Sequence, residues 1–408
     1  MDFSITPEQQ QLIDMAADFA RHEIAPHVDT FEREERFPRE LAARMGELGL
    51  LGGTIPEAYG GLGLDHVTLA LLIEEIAVVD VTAAVIAGWP SCSLGRPFLL
   101  YGTDQQKRDY LAPLCQGKKF GAHAVTEPHS GTDIVRRMET TARRDGDHYV
   151  LTGTKTWISN AGNADFFLTY GTLDKSLGMR GICAFVVDAG TPGLSIAPIR
   201  NKTGSRGQDT AQLYFQDVRV PVSHRLLPEG EGYKSLMCGT EIGRLACSAR
   251  ATGQIRACLE AATSYAKERE VFGQPIGRYE LVQAKIANMR VGLETSRLLV
   301  RRFAWLLDQG AERAQKEASI AKLYTTDTLM QCAQDAYQIH GAYGVAEEYK
   351  VGRYFRDAKV MQIYDGANEM HQQIIGEWEL GYRSSSSSAA NQPRARGELP
   401  PQPKELTP

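Results

Sequence analysis

Cysteine is sparse and never paired in this chain: seven residues in 408, with no Cys-x-x-Cys spacing. Their odd number and scatter exclude a disulfide framework and a zinc cage, so no metal site is expected and most are read as small buried hydrophobes. No stretch approaches the ~20 apolar residues that cross a bilayer, which excludes membrane insertion from the expected roles. The opening run Met1-Asp2-Phe3-Ser4-Ile5-Thr6-Pro7 lacks both a basic n-region and an Arg-rich transit character, so the expected location is cytoplasmic. Positive charge is in deficit, with a net charge of −5 and no nucleic-acid motif, which argues against nucleic acid as a partner. What the chain does have is apolar mass: 43% hydrophobic residues over 408 positions predict two or three domains with sizeable cores.

Three changes of period organise the chain. Thr6-Pro7-Glu8-Gln9 reads as a capping box with Pro at the first helical position, and Leu12, Ala16 and Phe19 follow on one face. Thr103-Asp104-Gln105-Gln106 repeats the box, and a long apolar helix is expected from about Val67, so residues 1–118 form an α-helical domain. From about Gly121 to Pro221 the period falls to two. Asp145-Gly146 is read there as a two-residue hairpin turn, with strands expected at Ile182–Val187 and Leu213–Val220. Residues 119–228 are therefore expected to form a small, barrel-like β domain. Helical period returns near 232–267, 277–309, 313–342 and 366–380, enough for a four-helix bundle over 229–383. The Ser384–Ser388 run and the Pro-rich stretch to Pro408 are expected to form a disordered tail. The fold class is α+β, mainly α.

Several short motifs lie on this frame. Val125-Thr126-Glu127-Pro128-His129-Ser130-Gly131-Thr132-Asp133 is rich in turn formers, and Gly153-Thr154-Lys155-Thr156-Trp157-Ile158-Ser159-Asn160-Ala161-Gly162 is a strand ending in a turn. Glu241 and Arg244 stand at i, i+3 on one helical face, the spacing of a solvated ion pair. Arg269-Glu270-Val271-Phe272-Gly273-Gln274-Pro275 reads as a helix end. Gln338-Ile339-His340-Gly341-Ala342-Tyr343-Gly344 is a further turn, and Asp365-Gly366 is a turn dipeptide in which Asp365 is a plausible N-cap for a helix from Ala367.

In order and spacing, these motifs resemble those of the acyl-CoA dehydrogenases over nearly the whole chain. The resemblance implies that family's fold, FAD as cofactor, and α,β-dehydrogenation of an acyl thioester carried on CoA or an acyl carrier protein. It assigns Val125, Thr126 and Ser159 to the flavin edge, where reduction leaves negative charge that needs donors. Trp157 and Ile158 flank the ring, and Thr132 serves near the pyrophosphate or pantetheine. Arg269, Phe272, Gln338, Gly341 and Ala342 would reach the FAD of a neighbouring subunit, which implies a homo-oligomer, by analogy a tetramer. Ala367 and Glu369 also fall on FAD-contacting positions, and Glu241, Arg244, Tyr364 and Gly366 on substrate-contacting ones. An electron-transfer flavoprotein is the implied acceptor.

Asp365 matches the position of the base that takes the α-proton while hydride leaves the β-carbon for flavin N5. Family members usually carry Glu there. Asp withdraws the carboxylate by ~1.5 Å, and misplacement by about 1 Å costs on the order of a hundredfold in rate. A branched, cyclic or functionalised acyl group would compensate by sitting nearer. Relatives with Asp at this place include nitroalkane oxidases, so a flavoprotein oxidase of that type is the alternative. Gly243 stands where a minority of members carry their base, which leaves Asp365 as the candidate. Glu280 replaces a Gln that helps bind the diphosphate in the family, and is not assigned that role.

Overall fold

The computed structural model describes residues 4–311 and 314–383. The tail expected at 384–408 lies outside the described residues. Helix Pro7–Phe19 opens with the capping box formed: Thr6 accepts from the Gln9 N–H, and the Gln9 side chain accepts from the Thr6 N–H. Helix His66–Val79 is buried along most of its length, capped by Asp65, and stops at Asp80, whose carboxylate caps the next helix, Val81–Gly88. No helix among the described residues is long and apolar enough to cross a membrane.

The middle of the chain is an eight-stranded sheet. Its strands are β1 (Gly121–Ala124), β2 (Thr141–Asp145), β3 (His148–Ser159), β4 (Phe166–Thr172), β5 (Ile182–Asp188), β6 (Leu194–Pro198), β7 (Thr210–Pro221) and β8 (Arg225–Leu226). The order is β6-β7-β3-β2-β4-β5-β8, with β1 pairing in parallel to β4. The β2–β3 hairpin pairs Asp145 with His148, so its two loop residues are Gly146 and Asp147. Asp145 belongs to the strand, one residue off the expected turn, because Gly146 supplies the positive φ of 61° that the turn needs.

Three long helices follow: Thr240–Glu268, Glu280–Asp308 and Gln315–His340. Gly253 lies where the first of them crosses His66–Val79; a Cβ there would stand 2.4 Å from the Glu74 carbonyl oxygen. The fourth expected helix, near 366–380, forms as Asn368–Glu379, and a helix that was not expected, Val351–Met361, precedes it. Two short helices, Val351–Met361 and Asn368–Glu379, pack on Gln315–His340, and the break between them carries Asp365. Helix Val351–Met361 forms because Val351, Tyr354, Ala358 and Met361 repeat at helical spacing and are all buried. Another break, at Gly239, separates a short helix Gly232–Cys238 from the long one.

Candidate active site

The segment 362–368 is held from two sides. Lys322, fully buried on helix Gln315–His340, donates to the carbonyls of Gly366 at 2.7 Å and Gln362 at 3.3 Å, and to Asn368 Oδ1 at 2.7 Å. His371 Nε2 lies 3.3 Å from the Asp365 carbonyl and its Nδ1 lies 3.1 Å from Ser319 Oγ. Burial, with Arg244 and Lys322 nearby, pushes the His371 pKa down to about 3, so the ring is neutral. A neutral ring that donates to a carbonyl through Nε2 must accept at Nδ1, which makes Ser319 the donor there. This clamp holds Asp365 at φ 55°, a left-handed backbone that costs a non-glycine residue on the order of 1 kcal/mol. Gly366 follows at φ +96°, where a Cβ would stand 3.1 Å from His371 Nε2.

The turn aims the Asp365 side chain into the protein. Its Oδ2 accepts from Arg250 Nη2 at 3.2 Å; the Asp365 side chain is 32% exposed and that of Arg250 is 7% exposed. The N-cap expected of Asp365 is therefore not formed: helix Asn368–Glu379 begins after Ala367 with no side-chain cap. Arg250 also lies 5.5 Å from the Tyr364 ring, and its Nε has no hydrogen-bond partner. Burial works against the Arg250 charge, and the Asp365 carboxylate favours it, which holds the guanidinium protonated. Burial pushes the thiols of Cys92 and Cys247 up to about 12 and about 11, so both are neutral neighbours.

Arg244 is buried six residues before Arg250 and also feels the Asp365 charge, with its Nε unpartnered. Burial lowers its pKa, opposed by Asp365 and Glu241. Glu241 accepts from the Ala314 N–H at 3.3 Å, so the simple solvated pair expected for 241 and 244 is not what is built here. At Gly243, a Cβ would meet Ser93 Oγ at 3.3 Å and Asp365 Oδ1 at 3.9 Å. Tyr364, Asp365, Gly366, Glu241 and Arg244 are thus brought into one neighbourhood, together with Arg250, Lys322 and His371, which the motifs did not point to. One signal for Arg250 was present: an arginine inside the small-residue run Ala246–Gly253, with no acid at i±3 or i±4.

The second group of expected residues lies on the sheet. Thr126 accepts from the Thr156 N–H at 2.9 Å, and Lys155 Nζ donates to the Val125 carbonyl at 3.2 Å and to Glu127 at 2.8 Å. A bulge in β3 between Lys155 and Ile158 turns Trp157 outward at φ 59° and 60% exposure, while Ile158 stays buried. The Ser130 hydroxyl is buried and unpartnered. An outward indole next to the Thr156–Thr126 backbone bond, with an unsatisfied hydroxyl on the loop that follows Thr126, offers an apolar face and polar groups of the kind a flavin ring needs. Thr132 is exposed on the loop beyond. Arg136, Arg137 and Lys175 line a cleft of about 250 Å³ farther along this region, away from Asp365.

The third group is not at either place. Helix Thr240–Glu268 stops before Arg269, as its motif suggested, and a two-stranded hairpin, Glu270–Val271 with Gln274–Pro275, follows. It carries Phe272 at its tip, 94% exposed at φ 52°. Arg269 stacks 5.4 Å from the Tyr343 ring, so this hairpin and the Gly341–Val345 turn meet, with Gln338, Gly341 and Ala342 exposed beside them. Ala367 is half-buried and Glu369 exposed at the start of the last helix.

Three family models match in chain order: the N-terminal domain of acyl-CoA dehydrogenase over residues 6–118, its middle domain over 122–218 and its C-terminal domain over 230–380. An acyl-CoA dehydrogenase of Bacillus subtilis (strain 168) is 39% identical over 377 residues, covering 92% of this chain and 99% of its own. The Caffeyl-CoA reductase-Etf complex subunit CarC of Acetobacterium woodii is 38% identical, covering 90% and 97%. The butyryl-CoA dehydrogenase structure from Megasphaera elsdenii superposes with a TM-score of 0.88 at 36% identity, covering 93% of this chain and all of that one.

Proposed function

The chain belongs to the acyl-CoA dehydrogenase family of FAD-dependent oxidoreductases acting on CH–CH bonds, and on that premise we propose that Asp365 is the base that takes the α-proton of an acyl thioester. FAD, when bound, supplies the acceptor for the β-hydride. The observation that carries this reading is the clamped turn: Lys322 and His371 fix residues 365 and 366, so that the Asp365 carboxylate alone projects toward the buried face of helix Thr240–Glu268. A base held in one geometry abstracts a proton without first paying for its own ordering. Arg250 pairs with the carboxylate at 3.2 Å and Arg244 lies on the same helix, so positive charge flanks the place where the α-proton is taken. Val125, Thr126, Trp157, Ile158 and Ser159 would line the flavin, with Thr132, Ala367 and Glu369 near its extended part.

The acyl group in this reading is branched, cyclic or functionalised, since Asp reaches less far than Glu. The exposed hairpin at Arg269 and Phe272, together with Gln338, Gly341 and Ala342, would complete the cofactor site of a neighbouring copy, making the working form a homo-oligomer. The carrier is CoA or a carrier protein, and an electron-transfer flavoprotein the acceptor, the latter supported by the likeness to CarC. Residues 1–118, 119–228 and 229–383 are taken as the three domains.

The test is Asp365→Asn, loaded with FAD and mixed anaerobically with a panel of acyl thioesters. The amide cannot take the proton, so flavin absorbance is expected to bleach in the parent and at least about a thousandfold more slowly in the variant, with FAD retained. Equal bleaching would remove Asp365 from the reaction. Bleaching only by nitroalkanes, with peroxide released in air, would replace the thioester reading by an oxidase.

A further inference from the structure

The reaction just described creates a charge problem at Arg250. Among the described residues, Asp365 is the carboxylate within ion-pair distance of that guanidinium. When Asp365 takes a proton it becomes neutral, and a side chain only 7% exposed loses its counter-ion. Leaving a buried charge uncompensated is among the more costly events in a protein interior. Among the described residues, no other carboxylate lies within ion-pair distance of Arg250 to compensate. Cys92 and Cys247 are held as thiols by burial, the Tyr364 hydroxyl is held protonated by burial and has no partner, and His371 is neutral. Arg244 and Lys322 add positive charge on the same side, with Glu241 beside the former and the exposed Asp327 beyond the latter.

The guanidinium also has capacity to spare. One bond of its planar fork goes to Asp365, and its Nε, buried, makes none. A fork with unused donors matches a carboxylate. We propose that Arg250 binds a carboxylate carried on the substrate's acyl group, so that the preferred substrates are short acyl thioesters bearing a second acid. This rests on the thioester reading above. The second carboxylate would do two things. It would take over as counter-ion when Asp365 is protonated, and by sharing the guanidinium it would draw Arg250 away from Asp365 and leave that carboxylate free to meet the α-proton. The chain between the two acids must be short, because Arg250 is itself 3.2 Å from the base that meets the α-carbon. A protonated amine on the acyl group would face like charge and be rejected.

The experiment uses the FAD-loaded protein under anaerobic conditions and three CoA thioesters: the monothioester of pentanedioic acid, its terminal primary amide, and pentanoyl-CoA. The acid is expected to bleach the flavin with kcat/KM about 10–100-fold above the isosteric amide, carried mainly in KM. In Arg250→Gln that ratio should collapse to near one, and Arg250→Lys should restore part of it. The acid–amide comparison needs no variant, so it stands even if Arg250→Gln does not fold. Equal rates for acid and amide in the parent, or a ratio unchanged in Arg250→Gln, would overturn the proposal while leaving the dehydrogenase reading intact. Bleaching by none of the three, nor by any other thioester, would overturn both.

Discussion

Replacing Lys155 with methionine tests how the two motifs proposed to line the flavin are held together. Lys155 and Glu127 form an ion pair at 2.8 Å with side chains 0% and 1% exposed. Glu127 also accepts from the backbone N–H groups of Glu139 at 2.6 Å and Thr140 at 3.0 Å, and Lys155 donates to the Val125 carbonyl. Burial opposes the Glu127 charge, and Lys155 with the two N–H groups holds its pKa below the ordinary carboxylate value. Removing the ammonium alone leaves that carboxylate buried, a loss of about 3–5 kcal/mol by comparison with other broken buried pairs. That is a large part of the 5–15 kcal/mol typical of a folded domain. A second change, Glu127→Gln, keeps an acceptor for one of the two backbone N–H groups and removes the stranded charge, and is expected to return about 1–2 kcal/mol. In Lys155→Met the Glu127 pKa in the folded state should rise above its unfolded value. Stability should then be greatest at low pH and fall as pH rises through that folded pKa. Urea unfolding of the three proteins at pH 5 and pH 8, with FAD retention measured alongside, checks each step. Lys155→Met within about 1 kcal/mol of the parent, or a double variant no more stable than the single one, would refute the reasoning.

Two further outcomes follow from the same structure. Asp357 is buried between Glu32, Asp80 and Arg353 and accepts from the Ser205 N–H at 2.6 Å; burial first, then Glu32, pushes its pKa up to about 7, against the pull of Ser205 and Arg353. A raised folded pKa means stability is full below the unfolded value and is lost toward pH 7, by up to about 1.4 kcal/mol per pH unit. Asp357→Asn should flatten that slope in melting curves taken from pH 4 to 8, and an unchanged slope would remove Asp357 as its source. Gly366→Ala adds a Cβ at φ +96° and 3.1 Å from His371 Nε2; a loss of about 1 kcal/mol or more and slower flavin bleaching are expected, while a variant indistinguishable from the parent would show that the turn is not clamped as described.

The sequence by itself determined the class of the molecule. Capping boxes at Thr6 and Thr103, the change of period after Gly121 and the ordered motifs to Asp365 are local or additive signals, and the fold and family follow from them. It pointed to Asp365 as the proposed base but not to that residue's surroundings, because the dipeptide Asp-Gly, which on local grounds alone reads as a turn and cap, carries no record of what the side chain faces. Arg250 is 115 residues before Asp365, and Ser319 is 52 before its partner His371. Such pairs leave no mark in local spacing, since each residue is unremarkable until the bundle closes. The tertiary structure decided which arginine meets Asp365, which lysine and histidine lock the turn, and that the break between two short helices aims that carboxylate at the long helix. The physical reason is burial: a charge excluded from water must find its partner across the core, whatever the distance along the chain.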